Sequence, residues 1–230
     1  MNLLPHISNY GLLFYVIFGA MLITGFFMHL QSKNFYTLYV FVRKFSMLDL
    51  EFPASALELA NYIKGIFLLP KELSSKSLRA LKGQLYLDFL FIPLFYSSIF
   101  LLCLEVAIKM NSWGNYIFTT LALIQVIPLI CDVAENIYLL QKIHPNVSPS
   151  KPSVHKAYQL LGKIKWIIAS VAVVFAISTL FYFWLSGNFS LRSIQFLGVI
   201  IGELIIVYIL SRITSKRSEI NLEKYQNTGN

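Results

Sequence analysis

Residues 84–108 read QLYLDFLFIPLFYSSIFLLCLEVAI, a run of 25 residues in which only Asp88 and Glu105 are acidic or basic side chains of the Asp, Glu, Lys and Arg types. A helix that crosses a bilayer needs about 20 mostly apolar residues, because lipid offers no partners for unpaired backbone groups. This stretch therefore predicts a membrane-spanning helix. Four similar stretches lie at 8–30, 115–141, 160–186 and 192–212. We predict an all-α integral membrane protein, a bundle of five transmembrane helices that forms one membrane domain over residues 1–230.

The composition excludes several other classes of protein. Hydrophobic residues make up 57% of the 230 residues and charged residues only 13%, with two cysteines. Soluble domains carry about 25% charged residues, and disulfide-rich scaffolds carry far more cysteine. A soluble enzyme, a disordered chain and a disulfide-stabilised domain are therefore all disfavoured.

Basic residues predict the orientation. With five spans, 17 of the 19 Lys and Arg residues fall on one side, and only Lys109 and Arg192 on the other. Cytoplasmic flanks are enriched in Lys and Arg, so we predict an outside N-terminus and an inside C-terminus with a basic tail at 213–230. Such a face attracts the anionic headgroups of membrane lipids. The net charge of +8 then needs no nucleic-acid partner, and the small size favours a bacterial cytoplasmic membrane.

The cytoplasmic segment 31–83 is too long for a simple connection, so we expect it to carry structure. Ala54–Leu69 has helical spacing, with Ala56, Ala60, Ile63 and Phe67 on one face. We predict an amphipathic helix in the membrane interface, acting as an anchor or as a lid over a lateral entrance. The basic run Lys71–Lys82 is predicted to be a solvated connection.

Acidic residues inside the spans are the strongest functional signal. Each costs about 2.5–3.5 kcal/mol on insertion scales, so it needs a partner or a purpose. Asp132 and Glu135 lie three residues apart and share a helix face, and Pro128 frees the Ile124 carbonyl and can kink this helix. The candidate catalytic residues are Asp88, Asp132 and Glu135, and the candidate ligand-binding residues are Gln125, Asn136, Lys165, Glu203, Tyr96, Tyr138 and Trp166.

These residues are expected in the inner half of the bundle. Spans two and three are joined by a short turn, so Asp88 can face Asp132, Glu135 and Asn136. Lys165 enters from span four and would supply an ammonium group. Carboxylates clustered in a low dielectric predict that at least one retains its proton at pH 7 and can donate it. The alternative is a satisfied polar network that only holds the helices together.

Patterns for metals and cofactors are absent from the sequence. It contains no HExxH, GxSxG, Walker A, GxGxxG or CxxC motif, so we predict neither a metal site nor a cofactor. Gly198 and Gly202 form a GxxxG motif, which allows close helix packing. This face would contact a neighbouring helix or form the seam of a homo-oligomer.

Two stretches resemble the emopamil-binding, sterol-isomerase-like membrane proteins: Asp88 to Pro93, and Gln125 to Asp132. The resemblance covers about two helices and the number of spans, and span four lacks the Asn and Pro pattern of that family. It implies intramembrane acids that act on a lipophilic amine or a sterol, and it assigns no role to an individual residue.

Three functions remain open on this sequence. The first is a site that binds, or modifies by acid/base chemistry, a hydrophobic small molecule such as a lipid, isoprenoid or sterol-like compound. The second is proton or cation transport through a relay of Asp132, Glu135 and Glu203, in one chain or in an oligomer. The third is a regulatory or structural subunit of another membrane protein.

Overall fold

The computed structural model describes residues 10–38 and 42–186, and a few positions between 201 and 212. It is predominantly helical. The elements in chain order are α1 (Tyr10–Ser32), β1 (Tyr36–Leu38), β2 (Val42–Lys44), α2 (Met47–Glu51), α3 (Ala56–Phe67), α4 (Lys71–Lys109), α5 (Ser112–Ile124), α6 (Val126–Lys142) and α7 (Pro152–Leu185).

Four segments of the described chain are long and apolar enough to cross a membrane. They are Leu12–Ser32, Lys71–Lys109, Ser112–Lys142 and Pro152–Leu185, which correspond to the first four predicted spans. The fifth predicted span, at 192–212, falls mostly outside the described residues, so the five-span topology stays a prediction.

Helix α4 is much longer than the span predicted from hydropathy. It begins at Lys71 and has 39 residues, or about 58 Å at 1.5 Å per residue, whereas a hydrocarbon core is about 30 Å thick. The prediction of a solvated connection over Lys71–Lys82 is wrong. Leu73, Ser77 and Leu81 are buried there, because the segment between α1 and α4 covers this face of the helix.

The third predicted span is interrupted at Gln125. Helix α5 ends at Ile124 and α6 begins at Val126. Pro128 has no N–H to donate to the Ile124 carbonyl four residues earlier, so the regular ladder cannot continue there. The predicted distortion at this proline is confirmed.

The segment before α4 contains a small β-hairpin that the all-α prediction missed. Strands β1 and β2 pair antiparallel, with Tyr36 opposite Lys44 and Leu38 opposite Val42. Three residues per strand are too few to give a clear alternating pattern. The hairpin packs on α3, where the Thr37 hydroxyl donates a hydrogen bond of 2.9 Å to the Tyr62 carbonyl.

Helix α3 confirms the helix predicted over Ala54–Leu69, with different ends and a different buried face. Ser55 caps it by accepting a hydrogen bond of 3.1 Å from the Glu58 amide. Ala60 and Ile63 are buried as predicted, but Ala56 and Phe67 are only partly buried. The buried face also includes Leu59, Tyr62, Gly65 and Ile66, because the hairpin and α4 cover it.

Two apolar clusters follow one another along α4, α6 and α7. We call one the basic-end core, since it lies among the Lys-rich ends of these helices, and the other the Lys109-end core. The basic-end core includes Phe35, Phe45, Leu50, Leu59, Ile63, Ile66, Leu81, Leu85, Leu139, Ile143, Val147 and Tyr158. The Lys109-end core includes Ile92, Tyr96, Ile99, Cys103, Val106, Phe118, Ala122, Ala169, Ala172 and Ala176.

The residues between these cores are polar on all three helices. Asp88 lies between Leu85 and Ile92 on α4. Glu135 precedes Leu139 on α6, and Lys165 lies between Tyr158 and Ala169 on α7. The fold thus stacks two apolar cores and places one polar layer between them.

Gly65 permits the close approach of α3 and the hairpin. A Cβ atom at this position would overlap the Thr37 hydroxyl and lie 2.5 Å from the Leu38 carbonyl oxygen. We expect Gly65→Ala to lower the free energy of unfolding by about 1–3 kcal/mol, as overpacking does elsewhere. Thermal unfolding in detergent micelles measures this change.

Gly83→Ala is the matched control. A Cβ atom there would be in ordinary contact, 3.4 Å from the Gln31 amide nitrogen. Alanine favours a helix over glycine by up to about 1 kcal/mol, so this variant should be neutral or stabilised. Equal melting temperatures for the two variants would contradict the packing described for Gly65.

Candidate functional site

The polar layer is centred on the ammonium group of Lys165. Its side chain is only 4% exposed, and Nζ lies 2.6 Å from Asp132 Oδ1 and 2.5 Å from Glu135 Oε2. A third carboxylate, that of Glu51, has Oε1 at 3.6 Å. Asp132 and Glu135 reach the same ammonium because residues three apart on a helix share a face and α6 packs directly on α7.

Two aromatic side chains hold the outer oxygens of these carboxylates. The Tyr96 hydroxyl donates a hydrogen bond of 3.0 Å to Asp132 Oδ2. The Trp166 indole N–H donates one of 3.4 Å to Glu51 Oε2. These two neutral donors orient the carboxylates of Asp132 and Glu51 towards Lys165. Hydrogen bonds from uncharged groups therefore help to hold the cluster, in addition to the ion pairs.

A fourth carboxylate adjoins the Lys165 cluster through α6. Asn136 follows Glu135 in the sequence, and its side-chain N–H donates a hydrogen bond of 2.6 Å to Asp88 Oδ2. Asp88 and Asn136 are both buried. The predicted meeting of Asp88 with α6 is therefore confirmed, and α4, α6 and α7 all contribute to one site.

Glu135 is the most buried carboxylate of the site, at 1% exposure of its side chain. Its Oε1 atom has no hydrogen-bond partner within the described part of the chain. This oxygen is directed at Gly162 of α7, where an added Cβ would lie 3.0 Å from it. A larger residue at 162 would therefore displace the Glu135 carboxylate from its place beside Lys165.

Three side chains of α7 donate hydrogen bonds to the segment around α2 and so attach this segment to the helix. Besides the Trp166 bond, the Tyr158 hydroxyl donates to the Leu50 carbonyl at 2.9 Å, and the Gln159 amide donates to the Pro53 carbonyl at 3.0 Å. These contacts join residues more than 100 positions apart. They hold Glu51 over the Lys165 cluster although α2 itself is only five residues long.

One edge of the cluster reaches the surface of the protein. The side chains of Asp132 and Glu51 are 16% and 14% exposed, whereas that of Lys165 is sealed inside. Phe52 and Trp166 are exposed beside this edge. Asp132 and Glu51 are thus the partly exposed carboxylates of the cluster, whereas Glu135 and Lys165 are buried.

The charges around Lys165 do not balance. Among the described residues of this layer there are four carboxylates and one ammonium group. Glu51, Asp132 and Glu135 lie within 4 Å of the Lys165 Nζ atom, and Asp88 adjoins them through Asn136. Burial raises the pKa of Glu51 above its usual 4.5, and the Lys165 ammonium opposes this shift. The site is therefore rich in acceptors that can bind protons.

Most of the predicted site residues meet in this layer. Asp88, Asp132, Glu135, Asn136, Lys165 and Tyr96 lie together, with Trp166 at the exposed edge. Helix α7 begins at Pro152, eight residues before the predicted span, and it buries His155, Tyr158 and Lys165.

The other predicted site residues lie elsewhere. The Tyr138 ring packs at a tilt against Tyr158, with ring centres 4.7 Å apart, and its hydroxyl shares a hydrogen bond of 2.6 Å with Ser150 Oγ. Tyr138 therefore packs against the basic-end core. Gln125 donates to the Leu121 carbonyl at 3.0 Å, at the break between α5 and α6. Glu203 and Gly198 lie outside the described residues, so their roles stay predictions.

Glu51 was missed by the sequence analysis. Glu51 lies in the connecting segment, outside the predicted spans whose acidic residues indicate the site. Its distance from Lys165 in the sequence is 114 residues, and no spacing rule connects the two. The one available signal was an acid placed between apolar residues, in Leu50-Glu51-Phe52, just before Pro53.

Comparisons with protein families, curated proteins and solved structures find no match to this chain. The resemblance to the emopamil-binding proteins thus rests on the two sequence stretches alone. Within the described ranges, no three His, Cys, Asp or Glu side chains are placed to hold a metal ion.

Removing the ammonium should destabilise the protein strongly. We expect Lys165→Gln to lower the free energy of unfolding by about 3–5 kcal/mol, because it leaves buried carboxylates without their cation. Lys163→Gln, an exposed position two residues away, should change it by less than about 0.5 kcal/mol. Denaturant unfolding in micelles measures the free energy of unfolding of both variants. Similar decreases would show that Lys165 does not hold the carboxylate cluster together.

Glu51 should make stability depend on pH. Its pKa is raised in the folded protein, so the folded state holds this proton more tightly than the unfolded state. The corresponding stabilisation is complete below 4.5, the usual value, and is lost as the pH rises through the folded pKa. The stability of the native protein relative to Glu51→Gln should therefore fall from pH 4 towards neutrality. A difference that grows with pH would instead mean that the ion pair with Lys165 dominates.

Proposed function

We propose that the protein is a polytopic membrane protein that binds a hydrophobic small molecule at the Lys165 cluster, or modifies it by acid/base chemistry. The ligand class is a lipid, an isoprenoid or a sterol-like compound. We place the protein in a bacterial cytoplasmic membrane with five spans, the N-terminus outside and the C-terminus inside.

One observation carries this proposal: a cluster with three more carboxylates than ammonium groups among the described residues has two partly exposed members, Asp132 and Glu51, near the exposed Phe52 and Trp166. We take this exposed edge as the entrance for the ligand. Like charges in a low dielectric repel one another strongly, so such a cluster retains protons. A retained proton beside an entrance is what a general acid requires. The same group, once it has lost its proton, can act as a base.

The depth of the cluster suits an amphiphilic ligand. Gly25 lies against Phe91 and Gly83 against Gln31, so α1 and α4 run antiparallel in contact. The apolar run of α1 ends near Gln31. Asp88 is five residues beyond Gly83 along α4, or about 7–8 Å. The polar layer is therefore close to the level where headgroups meet hydrocarbon, and a lipid entering sideways would bring its polar group to this level.

The position of each residue in the cluster suggests its role in this function. Asp132 is the carboxylate at the entrance, and we assign to it the proton exchange with the ligand. Glu135 is more deeply buried, and we propose that it returns a proton to Asp132 after the exchange. Lys165 stabilises whichever of the two carboxylates is ionised. Asp88 with Asn136 forms the inner wall. Trp166 and Phe52 provide apolar contact at the entrance.

Transport is the less favoured use of these acids. A proton or cation path would have to continue through the Lys109 end of the bundle. There the described residues form an apolar core, with Ile92, Ile99, Val106, Phe118 and Ala172 among its buried members. The relay also needs Glu203, on which the described structure does not bear. A role as a subunit of another protein has no specific observation in its favour.

The test is native mass spectrometry of the purified protein, comparing wild type with Asp132→Asn. We expect a bound small molecule in the wild type and a loss of at least about tenfold in its occupancy in the variant, because the amide cannot exchange the proton. Asparagine keeps the shape of the side chain and can still contact Tyr96 and Lys165.

Glu105→Gln is the matched control. Glu105 is a partly buried acid on α4 in the Lys109 half, so this variant loses one carboxylate away from the cluster and should keep the ligand. Thermal unfolding of both variants separates ligand loss from unfolding. A folded wild-type protein that carries no small molecule, or equal loss in both variants, would refute the proposed site.

A further inference from the structure

A second site lies at the basic end of the protein, apart from the Lys165 cluster. A cavity of about 370 Å³ opens between the end of α1 and the first turns of α4. Gln31 and Asn34 line it from the α1 side, and Ser75, Lys76 and Arg79 line it from α4. None of these residues takes part in the polar layer described above.

The lining is suited to a phosphate group. Arg79 and Lys76 bring two positive charges, and an arginine can bind phosphate oxygens through two parallel N–H donors. The side chains of Gln31, Asn34 and Ser75 can donate further hydrogen bonds.

Glu72 is the one acid in the lining, which leaves a net charge of +1. Its carboxylate opposes part of the attraction to the phosphate, and it can accept a hydrogen bond from a headgroup hydroxyl or amine.

A neighbouring cavity extends the positive charge. It has a volume of about 540 Å³, is lined by Lys71 and Ser74, and shares Ser75 and Arg79 with the first. Arg79 therefore stands between two open spaces, with Lys71 on one side and Lys76 on the other. This leaves room for a headgroup larger than the phosphate alone.

The position of the first cavity indicates that the phosphate belongs to a lipid. Gln31 lies one turn beyond Phe27, and Phe27 lies one turn beyond Ile23, so neighbouring members share a face of α1. Phe27 and Ile23 are both exposed. An acyl chain could lie along this apolar surface and end at Gln31, where the cavity begins.

We propose that this cavity binds the phosphate of an anionic phospholipid from the leaflet at the basic end of the protein. Arg79 and Lys76 bind the phosphate oxygens, and Gln31 and Asn34 orient them. Ile23 and Phe27 contact an acyl chain. This site is independent of the ligand at the Lys165 cluster, and it fixes the depth of α1 and α4 in the membrane.

The test is a lipid titration of the full-length, delipidated protein in a nonionic detergent, read by native mass spectrometry. The probes are phosphatidylglycerol and a diacylglycerol with the same chains, which lacks the phosphate. We expect phosphatidylglycerol to bind the wild type and to bind about fivefold more weakly to Arg79→Gln and to Lys76→Gln, the loss expected for one basic residue at a lipid surface. Diacylglycerol should bind none of them detectably.

Lys82→Gln is the matched control. Lys82 is exposed on α4, three residues from Arg79, and does not line either cavity. It should keep phosphatidylglycerol binding within twofold of the wild type. If Lys82→Gln loses as much as Arg79→Gln, the attraction is diffuse surface electrostatics and the site is refuted.

A competition arm distinguishes the source of the phosphate. Inorganic phosphate at millimolar concentration should leave lipid binding unchanged, because it lacks the acyl contact with Phe27. If it displaces the lipid completely, the occupant is a soluble phosphate and the lipid assignment is wrong. Should Arg79→Gln fail to fold, Lys76→Gln and Arg79→Lys carry the test, with Arg79→Lys expected to bind between wild type and Arg79→Gln.

Discussion

Burying the ammonium of Lys165 imposes a requirement that organises much of this structure. A charge removed from water must be met by opposite charges at short range, or the folded state is strongly penalised. Asp132 and Glu135 meet it from α6 at 2.6 Å and 2.5 Å, and Glu51 meets it from the connecting segment at 3.6 Å. This requirement fixes the register of α6 on α7 and explains why the short α2 is held against the bundle.

The same requirement determines how the apolar residues are distributed. Apolar side chains cannot donate hydrogen bonds to carboxylate oxygens. The layer around Lys165 therefore contains the donors Tyr96, Asn136 and Trp166 as well as charged groups. The two apolar cores lie on either side of this layer, and both are built from α4 and α7. Gly162 has no side chain of its own and leaves space for the Glu135 carboxylate, so the helix packing and the site share one geometry.

The sequence predicted those parts of the site that depend on local helical geometry. Asp132, Glu135 and Asn136 share a helix, and the short turn between spans two and three brought Asp88 to them. It did not predict Glu51, because the contact of Glu51 with Lys165 joins residues 114 positions apart. It did not predict the hairpin either, because two strands of three residues are too short to give a clear alternating pattern. Gln125 was predicted as a ligand-binding residue of the same site. It lies instead at the break between α5 and α6, where its side-chain amide donates to the Leu121 carbonyl.

A polar network that only holds helices together needs balanced partners, and this network is not balanced. Lys165 and the donors of Tyr96, Asn136 and Trp166 satisfy part of the carboxylate oxygens, yet Glu135 Oε1 has no hydrogen-bond donor among the described residues. A structural role would be met by fewer acids, since replacing buried ionic groups with apolar ones is often neutral or stabilising. The surplus of carboxylates therefore favours the proposed role in binding or proton exchange over a role in stability alone.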